Sequence, residues 1–144
     1  MQGRDPNTRR TLFFAAGALV LLAAFVLLQI MKSPRSISPR EAEQLLRTDT
    51  TVVALDVRTP GEFIGPTGHL PGAVLLPVDE IADRLGELAP FSGRTMVVYC
   101  RSGHRSRNAA SFLEERGFTV FNLSGGIVEW NSLALPVVHG NSPE

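Results

Sequence analysis

Most of the reactive side chains of this chain fall in one short run, Cys100-Arg101-Ser102-Gly103-His104-Arg105-Ser106. Cys100 is the only cysteine among 144 residues, which excludes an internal disulfide, a CxxC redox pair and a multi-thiolate zinc site. His69, His104 and His139 are too widely spaced to form a recognisable ligand set, so no metal is expected. A lone thiol is either a core residue or a nucleophile, and its neighbours must decide. Arg101, Arg105 and Arg107 crowd this run, although the region from Ser36 onward holds nine arginines against thirteen acids, a net charge of −4. Arginines at the start of a helix are electrostatically misplaced unless an anion sits there. Gly103 can take positive φ, which lets successive amides curl into an anion-binding nest. A helix N-terminus with neighbouring cations also lowers a cysteine pKa. The expected chemistry is that of a nucleophilic thiolate.

The elements that must position this run follow from periodicity and capping signals. Thr95 to Tyr99 reads as a strand that delivers Cys100 to its carboxyl end, where open α/β sheets gather their ligands. Arg105 to Arg116 reads as the helix that follows, ended by Gly117. Upstream, Ser38-Pro39-Arg40-Glu41 sets an N-cap, an N1 proline and a capping-box glutamate before Ala42, Leu45 and Leu46. Thr51 to Val57 reads as a buried strand, and Thr59-Pro60-Gly61-Glu62 as a second capping box opening a short helix. Val74 to Leu76 reads as a strand, followed by a helix from Asp79 through Leu85. Val120 to Leu123 and Ile127 to Leu133 read as the last strand and helix. Strands alternating with helices predict an α/β domain, a mainly parallel sheet flanked by helices on both faces.

The N-terminal part differs in kind. From Leu12 to Met31 the only side chain beyond apolar residues, Gly and Ala is Gln29. Twenty such residues would span roughly 30 Å as a helix, the thickness of a bilayer's hydrocarbon core. A signal peptide is the rival, with Arg9 and Arg10 as its basic end, but no small-residue cleavage site precedes Lys32. The chain is therefore expected to hold an N-terminal tail (1–10), one transmembrane helix (11–31), a linker (32–36), the α/β domain (37–139) and a C-terminal tail (140–144). Basic residues flank both ends of the apolar run. The Arg9-Arg10 pair, similar to a twin-arginine export signal, favours an extracytoplasmic domain on a single-pass membrane protein. The acidic balance of the domain gives it no reason to seek nucleic acid.

Four segments in order resemble the rhodanese family. They are Asp56-Val57-Arg58-Thr59-Pro60-Gly61-Glu62-Phe63, Gly68-His69-Leu70-Pro71-Gly72-Ala73, the Cys100 to Ser106 loop, and Gly125-Gly126 followed by Trp130. The resemblance covers most of residues 37–139 and implies a single rhodanese-like domain with the activity of a thiosulfate sulfurtransferase. Cys100 would take a sulfane sulfur from thiosulfate or a related donor, hold it as a persulfide, and pass it to cyanide or a thiol. It implies no cofactor. The resemblance makes Cys100 the catalytic residue and Arg101, Ser102, Gly103, His104, Arg105 and Ser106 the substrate-binding loop. Asp56 and Arg58 would brace that loop, His69 would stabilise a turn, and Trp130 would be core.

Two other functions remain open on the sequence. Phosphatases and arsenate reductases of the same fold need His-Cys, five residues and Arg to hold a tetrahedral oxyanion. Here Tyr99 precedes Cys100 and Arg105 follows after four residues, a loop one residue short. A non-catalytic rhodanese-like module would bind a partner without chemistry, and members of that kind often lack the cysteine or the loop arginines that this chain keeps.

Overall fold

The computed structural model describes residues 17–27 and 34–140. These fall into two compact units, divided between Ser33 and Pro34. In the first, residues 17–27 are helical, and Leu19, Val20, Leu21 and Leu22 are exposed. The membrane-spanning helix expected over 11–31 is corrected here, and with it the single-pass, extracytoplasmic placement and the membrane as partner. Among the described residues no helix is long and apolar enough to cross a membrane. Residues 1–16, 28–33 and 141–144 lie outside the described residues, including the tail at 1–10, both ends of the expected span over 11–31, two of the five residues read as linker (32–36) and most of the C-terminal tail.

The second unit is built on five strands: β1 (Ser36–Ile37), β2 (Val53–Asp56), β3 (Val74–Leu75), β4 (Thr95–Tyr99) and β5 (Thr119–Leu123). They lie in the order β1-β5-β4-β2-β3 and every pairing is parallel. A parallel sheet needs cover on both faces, so its central strands must be apolar on both sides. Alternation along β2 and β4 supplies this. Val53, Leu55, Met96 and Val98 enter one core with Ala109, Ala110 and Leu113 of helix α3 (His104–Glu114). Ala54, Val97 and Tyr99 enter the other with Ala42 of α1 (Pro39–Thr48) and with Ile127 and Trp130 of α4 (Gly126–Ser132). The Ser38 capping box opens α1, and the Thr59 box opens the one-turn helix α2 (Pro60–Phe63), as the sequence predicts.

The helix expected from Asp79 to Leu85 does not form. Two 3-10 segments, Val78–Glu80 and Leu85–Phe91, occupy the stretch, and Asp79 lies inside the first rather than capping it. Pro77 holds the cap position without a side-chain acceptor, while Gly86 and Pro90 disfavour regular helix beyond it.

Strand order fixes where a site can form. The chain leaves β2 towards β3 on one side and leaves β4 towards β5 on the other. The loops after β2 and β4 therefore diverge, opening the crevice in which such sheets hold ligands. At the carboxyl end of β2, Asp56 and Arg58 form an ion pair with side chains no more than 1% exposed. Both carboxylate oxygens are used, at 2.6–3.0 Å, and Arg58 reaches on to Thr67 Oγ1 and the Gly68 carbonyl. Burial opposes the guanidinium charge, but the Asp56 carboxylate outweighs it and raises the Arg58 pKa. Removing one member of a buried pair strands the other. Asp56→Ala should therefore lower the unfolding free energy by about 3–5 kcal/mol, read from the urea midpoint. A loss below about 1 kcal/mol, the scale of exposed pairs, would show that this pair does not anchor the β2 end.

Candidate active site

Cys100 leaves the end of β4 and is 1% exposed. Gly103 stands at φ 88° as the N-cap of α3, and this left-handed residue turns the loop back on itself. The Gly103 N–H then donates to Cys100 Sγ at 3.2 Å, and Ser106 Oγ, one turn into α3, lies 3.4 Å from the same sulfur. Burial alone pushes the thiol pKa up. The Ser106 hydroxyl and the backbone amides of Ser106, Ser102 and Gly103 outweigh it, leaving the thiol below its ordinary value. Those groups stabilise sulfur in its anionic form.

A loop that turns its amides inward must turn carbonyls outward, and here α4 receives them. The N–H groups of Ile127 and Val128 donate to the carbonyls of Cys100 and Arg101 at 2.9 and 3.1 Å. This approach leaves no room for a side chain at Gly126, where a Cβ would fall 2.5 Å from the Cys100 oxygen with φ at 57°. Gly125, also left-handed at φ 65°, begins the turn.

Arg105 is not turned to solvent alone. Its Nη1 and Nη2 donate to Glu62 Oε2 and Oε1 at 2.9 and 2.7 Å, joining α3 to α2 across the switch-point crevice. Glu62 Oε2 also accepts from the Thr59 N–H, closing its capping box. The Arg105 hydrogen bonds pull the Glu62 carboxyl down to about 2, and Glu62 in turn raises Arg105.

The structure thus gathers Cys100, Ser102, Gly103, Arg105 and Ser106 around one sulfur, and leaves Arg101, His104 and Arg107 exposed. Asp56 and Arg58 lie at the neighbouring strand end, but the further donors of Arg58 go to Thr67 and Gly68 rather than to the Cys100 loop. His69 Nδ1 donates to the Phe63 carbonyl (3.0 Å), and the ring stacks on that of Phe63, in keeping with a turn-stabilising role. Trp130 is buried, its indole N–H on the Pro136 carbonyl. Sequence reasoning missed Glu62 as the partner of Arg105, because the capping box already accounted for it. It also missed Asn122, which accepts the Ser106 hydroxyl at 2.7 Å; a polar residue inside the apolar run of β5 was its only signal. Among the described residues no cluster of His, Cys, Asp and Glu fit for a metal is present.

Comparison with known proteins places this geometry. The family model described as "Rhodanese-like domain" matches residues 38–133. A protein named "Sulfurtransferase" from Allochromatium vinosum is 38% identical over 103 residues, which are 71% of this chain and 92% of that protein. The thiosulfate sulfurtransferase PspE of Escherichia coli is 33% identical over 86 residues, 60% of this chain and 78% of that protein. The chain spans about half the length of two further curated relatives, 55% and 48%. Among solved structures, a rhodanese-related protein from Thermoplasma volcanium superposes with a TM-score of 0.65 at 29% identity, over 72% of this chain and 97% of that one.

Two tests follow from the contacts. Gly126→Ala should destabilise by about 2 kcal/mol or more, combining φ strain with a backbone clash. Gly72→Ala, at φ 65° with nothing within 4 Å, should cost only the ~1–2 kcal/mol of a left-handed alanine. Equal losses in the two variants would remove the clash from the account. Glu62→Gln probes the clamp through pH. A carboxyl depressed in the folded state stabilises above its unfolded value near 4.5, and this is lost as pH falls towards about 2. With side chains 36% and 30% exposed the pair is worth on the order of 1 kcal/mol. The variant should lack that part of the acid limb of the wild-type stability curve; coincident curves would show that the pair contributes nothing.

Proposed function

The chain belongs to the rhodanese-like domain family, and from that premise we propose that it is a thiosulfate sulfurtransferase working through a persulfide on Cys100. The observation that carries the reading is the sulfur itself. Cys100 Sγ sits at the strand end of the switch-point crevice with the Gly103 amide at 3.2 Å, and its pKa is lowered in spite of burial. The sulfurtransferase names of the relatives support the same chemistry.

In the first half-reaction the Cys100 thiolate attacks the outer sulfur of thiosulfate. The new S–S bond forms as the bond to the sulfonate sulfur breaks, and sulfite leaves with the electron pair. In the second, cyanide or an acceptor thiolate attacks the outer sulfur of Cys–S–S⁻, and Cys100 departs as thiolate. The amides of the loop are pre-aimed at anionic sulfur, so they need no reorganisation when charge arrives. Arg105, held by Glu62, keeps the loop closed, and exposed Arg101 is left to meet the sulfonate of the donor at the rim. With Cys100 the only cysteine, the persulfide cannot collapse into an internal disulfide and awaits an external acceptor. A loop of four residues between Cys100 and Arg105 suits a single sulfur atom better than a phosphoryl group with three oxygens.

Cys100→Ser should abolish thiosulfate:cyanide sulfur transfer and leave the urea midpoint within error, because a hydroxyl forms no persulfide. Intact mass after thiosulfate should show one added sulfur on the wild type and none on the variant. Residual transfer above about a tenth of wild type, or no sulfur on the wild type, would place the chemistry elsewhere.

A further inference from the structure

Ser106 has one hydroxyl proton and two buried acceptors beside it. Its Oγ lies 2.7 Å from Asn122 Oδ1 and 3.4 Å from Cys100 Sγ, and none of the three residues is more than 1% exposed. A carboxamide oxygen can only accept, so the two contacts compete for one proton, and the shorter one favours Asn122 over neutral sulfur. The other end of the amide, Nδ2, is the one buried side-chain nitrogen or oxygen lacking a hydrogen-bond partner among the described residues. It sits in the corner between the Cys100 loop and the turn after β5. A Cβ on Gly103 would meet Leu123 O, Gly125 N and Asn122 Nδ2 there, at 3.1, 3.4 and 3.8 Å. An unmet buried donor is unfavourable, and this one has a remedy within its own side chain.

A half-turn of the carboxamide exchanges its ends. Nδ2 then donates to Ser106 Oγ, and the Ser106 hydroxyl turns its proton to Cys100 Sγ. Oδ1 takes the corner that Nδ2 leaves, which the Leu123 carbonyl and the Gly125 N–H both border. The two arrangements suit different states of the sulfur. A neutral thiol, or the inner sulfur of a persulfide, is a weak acceptor and leaves the proton with Asn122. A thiolate is a strong acceptor and draws it back.

We propose that Asn122 is a positioning residue for Cys100, its amide turning over with the charge on the sulfur so that the Ser106 proton is lent to the thiolate and withdrawn from neutral sulfur. This rests on the reading of Cys100 as the sulfur carrier. No covalent bond changes in the turn, and the proton stays on Ser106 throughout. The thiolate appears twice in each cycle, as attacking group on the donor and as leaving group to the acceptor, so the amide serves both half-reactions.

The charged and titratable groups near Cys100 have partners of their own. Arg105 of α3 is held by Glu62 of α2 and also acts on the sulfur, a contribution that the substitutions below leave in place; Asp56 and Arg58 at the end of β2 hold each other, and the Tyr99 hydroxyl accepts from Leu70 N. Arg101 and His104 are exposed on the loop.

The test is a pH titration of thiolate ultraviolet absorbance in the full chain, where Cys100 is the only cysteine and owns the signal. Asn122→Asp keeps the shape and, as a carboxylate, can only accept, so that it holds the Ser106 proton whatever the charge on the sulfur. Its Cys100 midpoint should rise by about one pH unit, about tenfold less thiolate at a given pH below the midpoint. Combined with Ser106→Ala, the same substitution should move the midpoint clearly less, since no proton is left to withhold. An equal shift in both backgrounds means that the carboxylate charge acts alone and overturns the proposal, as does no shift. Asn122→Leu covers the case in which the Asn122→Asp variant does not fold. It frees the proton for the sulfur, so its midpoint should lie at or below that of the wild type, whereas a rise refutes the relay. Thiosulfate:cyanide transfer by the wild type is followed alongside. Its absence would refute the sulfurtransferase reading while leaving the titration to judge Asn122.

Discussion

A peptide unit cannot point its N–H at a sulfur without pointing its carbonyl away, and this constraint organises the whole carboxyl end of the sheet. The Cys100 loop turns amides inward, so the carbonyls of Cys100 and Arg101 face the protein and need donors. The first turn of α4 provides them through Ile127 and Val128. Helix N-termini have N–H groups to spare, which makes them suitable partners for an everted loop. The contact works only because Gly126 has no Cβ and accepts a left-handed backbone. Thus a glycine twenty-six residues downstream decides whether the sulfur keeps its cradle, although it never touches the sulfur.

The two ion pairs near the crevice show how burial assigns roles. Asp56 and Arg58 are almost wholly buried and saturate each other, and the remaining donors of Arg58 tie β2 to the Thr67–Gly68 turn. Such a pair adds little net stability over an apolar replacement, but it is intolerant of losing one partner. Arg105 and Glu62 are about a third exposed and are weaker in energy. Their value is geometric. They connect α2 and α3, the two helices that leave the switch point.

Local signals carried a good part of this into the sequence. The run Thr95 to Tyr99 ends at Cys100 in both, because a buried parallel strand is apolar on both faces and the thiol follows it. Both capping boxes were legible because each is complete within four residues. What was not legible depends on distance or on competition. β1 is two residues long and exists by pairing with Asn122 and Leu123, with only Ile37 to signal it. Glu62 and Arg105 lie 43 positions apart, and Glu62 had a sufficient local explanation. The stretch after Pro77 held apolar spacing fit for a helix but lacked a cap, and 3-10 turns won. In the N-terminal part, hydropathy alone suggested a span, and among the described residues no helix is long and apolar enough to be one.

The outermost strands, β1 and β3, each pair over only two residues. An edge that short offers a passing chain almost no row of open backbone groups, and so gives little purchase for strand addition or for runaway stacking of sheets. The domain is closed laterally in that sense.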